Sequence, residues 1–276
     1  MTYKDILVYA DANKSAITRF DVAATLAAAH KTHLAALHVS VPPFIPMDGG
    51  LAMSPSLIEW QEEFQSQQTE KAKQAVDAAK RRTGQDMEWR AARGDMIDTT
   101  LLHCRYADLA VVSQSGAEND EPLDADELPE AIVMGAGRPA LIVPRYGKFD
   151  TVGDRVLVAW NRTRESTRAV HDALPILIRA KSVTVMEVNP DRGGAPHIAG
   201  ADIARHLARH GVKAEVSSTT AGDIDVGDII LARAADLGAD LLVMGAYGHS
   251  RLREFTLGGV TRHLLQHMTL PVLMSH

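Results

Sequence analysis

Polar and apolar positions along the chain follow two alternating rhythms. Short, largely β-branched apolar runs are separated by longer stretches in which apolar residues recur at helical spacing. In the second half the runs fall at 156–160, 183–188, 212–216, 241–244 and 272–274, and helical patterns fill 165–179, 202–210, 226–236 and 260–267. Most runs lack strict alternation, as expected of strands buried on both faces. The segment 212–216 does alternate, which predicts a strand nearer the edge of the sheet. Strand–helix alternation of this kind predicts an α/β fold with doubly wound parallel sheets and right-handed crossovers.

The same pattern occurs twice. Ile6-Leu7-Val8-Tyr9-Ala10-Asp11 is matched by Val156-Leu157-Val158-Ala159-Trp160-Asn161. Ala107-Asp108-Leu109 is matched by Ala239-Asp240-Leu241, and Pro139-Ala140-Leu141-Ile142 by Pro271-Val272-Leu273-Met274. Gly116 precedes Pro139 by 23 positions, and Gly248 precedes Pro271 by the same 23. Two agreements in one register predict a tandem duplication, with domains at 1–146 and 152–276 joined by the polar, glycine-bearing stretch between them. The offset falls from 150 at the first strand to 132 at the fourth, so the first copy carries about 18 extra residues. The Pro/Gly-rich stretch near 41–58 is where they are expected.

Composition narrows the classes. Twenty-nine basic against 35 acidic residues give a net charge of −6, which disfavours a general nucleic-acid or anionic-membrane binder. One cysteine, Cys104, forms no internal disulfide and reads as a small core residue on a helix. No window approaches a membrane span and the start lacks a secretory apolar core, so a cytoplasmic location is expected.

The carboxyl ends of the strands are where doubly wound sheets hold ligands. In the second copy, 245–261 follows the fourth run and carries Gly245, Gly248, Gly258 and Gly259, with His249, Arg251, Arg253 and Arg262 adding local positive charge. Gly258-Gly259 opens a helix through Val260-Thr261, whose free N–H groups and dipole suit phosphate. His206/His210 and His263/His267 each stand four apart on a helical pattern; no third ligand accompanies either pair in sequence, so no metal site is expected. Asp223, Asp225 and Asp228 read as the acidic start of a helix.

Gly245-x2-Gly248-x9-Gly258 resembles the nucleotide loop of the universal stress protein family, and the likeness extends over both copies, as in a tandem two-domain member. The resemblance implies two five-stranded parallel sheets flanked by helices, and ATP, with Mg²⁺ as its companion ion, as the ligand. It implies triphosphate on the glycine loop and adenosine between the residues that end strands one and two. Carried over, these are Asn161 and Val188, with Met244 flanking the first glycine and Thr261 at the hydroxyl position. Asn161 stands where binders have Asp, and Gly259 where they have Ser or Thr. The first copy keeps Asp11 and Val39 but puts Ser113, Asp126 and Glu127 at the positions of Gly245, Gly258 and Gly259. With Glu118, Asp120, Glu121, Asp124 and Glu130 alongside, it is expected to be inactive toward ATP.

The expected function is therefore a stress-response protein holding ATP in its C-terminal domain as a regulatory ligand, with at most slow hydrolysis because no general base or nucleophile stands out. A nucleotide-free interaction scaffold of the same fold is the alternative. Family dimers pair through the last strand, which implies an internal pseudo-dimer here and leaves association of two chains open, with protein partners unknown.

Overall fold

The computed structural model describes residues 2–43, 54–115, 126–189, 200–247 and 259–276. The first half comprises β1 (Asp5–Tyr9), α1 (Lys14–His30), β2 (His33–Ser40), α2 (Pro55–Thr83), β3 (Glu88–Arg93), α3 (Met96–Cys104), β4 (Leu109–Ser113), α4 (Leu128–Gly135) and β5 (Ala140–Val143). The second repeats the order as β6 (Arg155–Trp160), α5 (Arg164–Leu177), β7 (Ser182–Val188), α6 (Ala201–Arg209), β8 (Ala214–Thr219), α7 (Val226–Asp236), β9 (Leu241–Gly245), α8 (Gly259–His267) and β10 (Val272–Ser275).

All ten strands form one sheet in the order β3-β2-β1-β4-β5-β10-β9-β6-β7-β8. Every neighbouring pair is parallel except β5 with β10, where Leu141 faces Leu273 across an antiparallel seam. The two halves thus share one strand order and meet through their last strands, as an internal pseudo-dimer requires. The edge strand β8 is the run whose polar alternation marked it, and only partly buries its residues. The inner strands β4, β5, β9 and β10 bury both faces, each against a layer of helices. One core holds Ile6, Val8, Val156 and Val158 under α1, α2, α5 and α6; the other holds Leu7, Tyr9, Leu157 and Met244 under α3, α4, α7 and α8.

The repeated Ala-Asp before the fourth strand of each half has a structural role. Asp108 accepts from the backbone N–H groups of Lys4 (2.7 Å) and Asp5 (3.2 Å), and Asp240 from those of Gly153 (3.1 Å), Asp154 (3.1 Å) and Arg155 (2.9 Å). Each carboxylate satisfies otherwise orphaned donors where the first strand begins. The acidic cluster before α7 likewise serves the helix: Asp225 is its N-cap, accepting from Gly227 N–H at 2.6 Å, and Asp228 lies in its first turn. Cys104 is buried at the end of α3, where desolvation pushes its thiol up to about 12.

The halves differ most in the helix that follows the second strand. It has 29 residues in α2 and nine in α6. Ser54 caps α2 through Leu57 N–H and Pro55 sits in its first turn, so residues 55–58 of the expected insert are helical. Residues 44–53 of that insert lie outside the described residues.

Candidate functional site

In the second half, β6, β7 and β9 run parallel and end together. Ala159 pairs with both Met186 and Met244, so the chain leaving β6 at Asn161, β7 at Val188 and β9 at Gly245 emerges along one edge of the sheet. Asn161, Val188, Met244 and Gly245 are thereby gathered at one edge of the sheet. Gly259, Val260 and Thr261 form the first turn of α8. The Thr261 hydroxyl accepts from Tyr247 N–H at 3.3 Å, which anchors that turn beside the end of β9. Gly248, Gly258 and the stretch between them lie outside the described residues.

Gly245 has a reason in packing. A Cβ there would overlap the backbone of Glu165 and Ser166 at the start of α5, so glycine lets that helix N-terminus sit directly on the strand end. Gly259, by contrast, is exposed with open space where a Cβ would project. The exposed Asn161 spends its carboxamide oxygen locally, accepting from Thr163 Oγ1 at 2.8 Å and Thr163 N–H at 3.3 Å, and Thr163 in turn caps α5 through Ser166 N–H. Glu165 supplies a carboxylate that Asn161 does not. It is buried against Gly245, and although burial raises its pKa, its own N–H, Thr163 and Arg164 bring it below the ordinary carboxylate value.

Three features at this edge were not legible as motifs. Of the four described non-glycine residues with left-handed backbone, three end strands here: Arg162 (φ 62°) after β6, Asn189 (φ 54°) after β7 and Tyr247 (φ 61°) after β9. Such conformations cost about 1–3 kcal/mol each in backbone energy and collect where a surface is shaped for a ligand. Arg162 also reaches Glu187 at 2.8 Å, and Glu187, only 1% exposed, accepts from Gly200 N–H at 3.0 Å, tying the β6 turn to the start of α6. Finally, the Tyr247 hydroxyl is buried and faces Glu130 on α4 of the first half; its burial, followed by the charge and hydrogen bonding of Glu130, pushes its pKa up.

The corresponding edge of the first half is filled from within. Arg19 on α1, 2% exposed, donates to Tyr9 carbonyl (2.8 Å), Ser113 Oγ (2.6 Å) and Asp11 Oδ2 (2.8 Å), and lies 5.7 Å from the Tyr9 ring centre. It spans the ends of β1 and β4, where a ligand would lie, leaving a cavity of about 50 Å³. Ala169 is the matching position of α5, so the second half carries no such guanidinium. Of the first half's acidic stretch, Asp126, Glu127 and Glu130 are described, while Glu118, Asp120, Glu121 and Asp124 are not.

Residues 153–276 match the family model described as the universal stress protein family. A universal stress protein of Synechocystis sp. (strain ATCC 27184 / PCC 6803 / Kazusa) is 28% identical over 151 residues, covering 52% of this chain and 49% of that protein. The matched region thus spans about half the length of that curated relative. Among solved structures, a universal stress protein from Archaeoglobus fulgidus DSM 4304 aligns over 98% of this chain and 95% of its own, with a TM-score of 0.70 at 17% identity. A functionally unknown protein from Pseudomonas aeruginosa PAO1 aligns over 99% and 92%, with a TM-score of 0.57 at 16% identity. At these identities the likeness to solved structures concerns the fold. No described helix is long and apolar enough to cross a membrane.

Proposed function

Because the chain belongs to the universal stress protein family through residues 153–276, and its first half repeats that fold, we propose that the second half binds ATP as a regulatory ligand. The observation that carries this reading is the left-handed backbone of Arg162, Asn189 and Tyr247 at the ends of three adjacent strands. Their cost is concentrated on the edge where Asn161, Val188 and Met244 would flank adenosine and the α8 N-terminus would meet phosphate. Gly245, Gly248, Gly258, Gly259, Val260 and Thr261 complete the proposed phosphate side, with Mg²⁺ accompanying the triphosphate. The ligand is read as regulatory rather than consumed, with slow hydrolysis by water as the most expected, because no nucleophile or general base stands out in the sequence of the loop. The first half serves as a closed partner, its cleft occupied by Arg19.

Titration of nucleotide-stripped protein with ATP and Mg²⁺ by calorimetry tests this. Saturable binding in the micromolar to millimolar range is expected. Gly259→Ser, placed where a side chain has room, restores the hydroxyl usual in binders and should tighten ATP by about 5–10-fold, the worth of one added hydrogen bond. No saturation at about 1 mM in either protein would favour a nucleotide-free interaction scaffold and end the ATP reading.

A further inference from the structure

We propose that His171, His206 and His210, packed together where α5 meets α6, make α6 an acid-released latch beside the second-half cleft. The fold assembles the group, because α5 brings His171 against the i, i+4 pair on α6 from 35 positions upstream. The ring centres stand 4.8 Å apart for His206–His210, 5.1 Å for His171–His206 and 6.1 Å for His171–His210, with the planes inclined by 60°, 55° and 84°. As neutral rings they pack at an angle, edges toward faces. As cations they repel one another across the joint, and imidazole is the side chain whose charge ordinarily changes between about pH 5 and 8.

The surroundings add to the repulsion. His206 is half-buried, and its Nε2 is enclosed with no hydrogen-bond partner. Besides His171 and His210, the charge acting on it is the cation Arg209 on α6. On β8, Val216 lies against the start of α6, so Glu215 next to it points to the other face of the sheet. The acids of the two helices closest to these rings are engaged elsewhere: Asp172 accepts from Ser275 Oγ at 2.9 Å and lies 3.5 Å from Arg168, and Asp202 lies 3.7 Å from Arg205. Burial first, then His171, His210 and Arg209, hold the His206 pKa below its usual 6.5. The proton is therefore taken up more readily once α6 is displaced. The stability that the closed latch contributes is complete above 6.5 and is lost as pH falls below it.

α6 is the lightly held helix of the pair that follows the second strands. It has nine residues and buries Ile203 and Leu207, whereas the 29-residue α2 buries Ala72, Val76 and Ala79. The first half also closes this joint with groups that keep their charge near neutrality. Asp21, 150 positions before His171, accepts from Arg82 Nη2 at 2.6 Å and Nε at 2.9 Å. Displacing α6 would take the Gly200 N–H away from Glu187, the carboxylate that Arg162 reaches at the end of β6, so acid would be felt at the cleft edge.

The test follows amide hydrogen–deuterium exchange of the full chain, without nucleotide, at about pH 7.5 and 5.5, one unit either side of the ordinary imidazole value and corrected for intrinsic exchange. Protection of α6 should fall at the lower pH by at least about threefold more than that of α2. His206→Gln should remove this response, and so should His171→Gln combined with His210→Gln; the latter two positions are exposed, so that variant decides if His206→Gln disturbs packing. His38→Gln, a change in the first half, should leave the response intact. Protection of α6 that is independent of pH, or that falls no more than that of α2, would overturn the latch. So would a response retained in the exposed double variant or lost in His38→Gln. With no nucleotide present, the outcome is separate from the ATP reading.

Discussion

Replacing Arg19 by methionine keeps the volume of a long side chain in the first-half cleft and removes its charge. Arg19 makes three hydrogen bonds at 2.6–2.8 Å from a position 2% exposed, one of them to the Asp11 carboxylate. Hydrogen bonds to a charged group contribute roughly 1.5–3 kcal/mol each, and they do not add in full. Breaking one side of a buried ion pair costs about 3–5 kcal/mol because the partner charge loses its compensation. Asp11 retains 21% side-chain exposure, so water recovers part of that loss and the lower end applies, about 3 kcal/mol. With a urea m-value near 3 kcal/mol/M for a chain of this size, the midpoint should fall by about 1 M. The double variant Arg19→Met with Asp11→Ala removes both charges, and should recover about 1–2 kcal/mol of the loss. Equilibrium urea unfolding, followed by far-ultraviolet circular dichroism and by tryptophan fluorescence, measures both. A single variant within about 0.5 kcal/mol of the parent protein, or a double variant no better than the single, would show that the guanidinium does not hold this cleft.

Gly245→Ala forces α5 off the end of β9, and should lower stability by about 1–3 kcal/mol in the same assay; an unchanged midpoint would refute the close approach of Glu165 and Ser166. His38 is buried, its Nδ1–H donating to Ala10 carbonyl at 2.9 Å while Nε2 has no partner, and burial lowers its pKa from the usual 6.5 against the opposing pull of Ala10 and Asp11. The unfolded chain therefore takes up this proton first, so the stability it contributes is complete above 6.5 and is lost as pH falls below it. His38→Gln should flatten the urea midpoint against pH below 6.5, and an unaltered slope would count against the linkage. With its pKa at about 12, the Cys104 thiol should react with a disulfide reagent only as fast as the protein opens, so rapid labelling at neutral pH in the native state would contradict its burial.

The second half was nearly transcribed in its own periodicity. Every apolar run became a strand, and the alternation at 212–216 correctly marked an edge, although β8 begins at Ala214 because Val212 is bonded back to Leu207 as the chain leaves α6. Glycine, proline and acidic caps are local signals, and they located the turns. The contents of the two clefts are not local. Arg19 meets Ser113 across 94 residues, and nothing about an arginine within α1 distinguishes it from a solvated one until β4 is placed beside β1. Arg162, Asn189 and Tyr247 escaped notice because glycine is the residue by which left-handed backbone is ordinarily read, and none of them is glycine. His171 was likewise only a surface residue until α6 lay against it.

The antiparallel seam between β5 and β10 has a consequence for how this molecule could change over time. Two identical subunits pairing through such strands separate on dilution, and any substitution in one appears in both. Here the pairing lies within one chain, with β6 beginning soon after β5 ends, so it is insensitive to concentration and its two sides are encoded separately. One half could acquire a guanidinium that seals its cleft while the other kept alanine there, and neither change had to be compatible with its own mirror image. Covalent union thus leaves the two clefts free to differ, as Arg19 in one and Ala169 at the matching place in the other do.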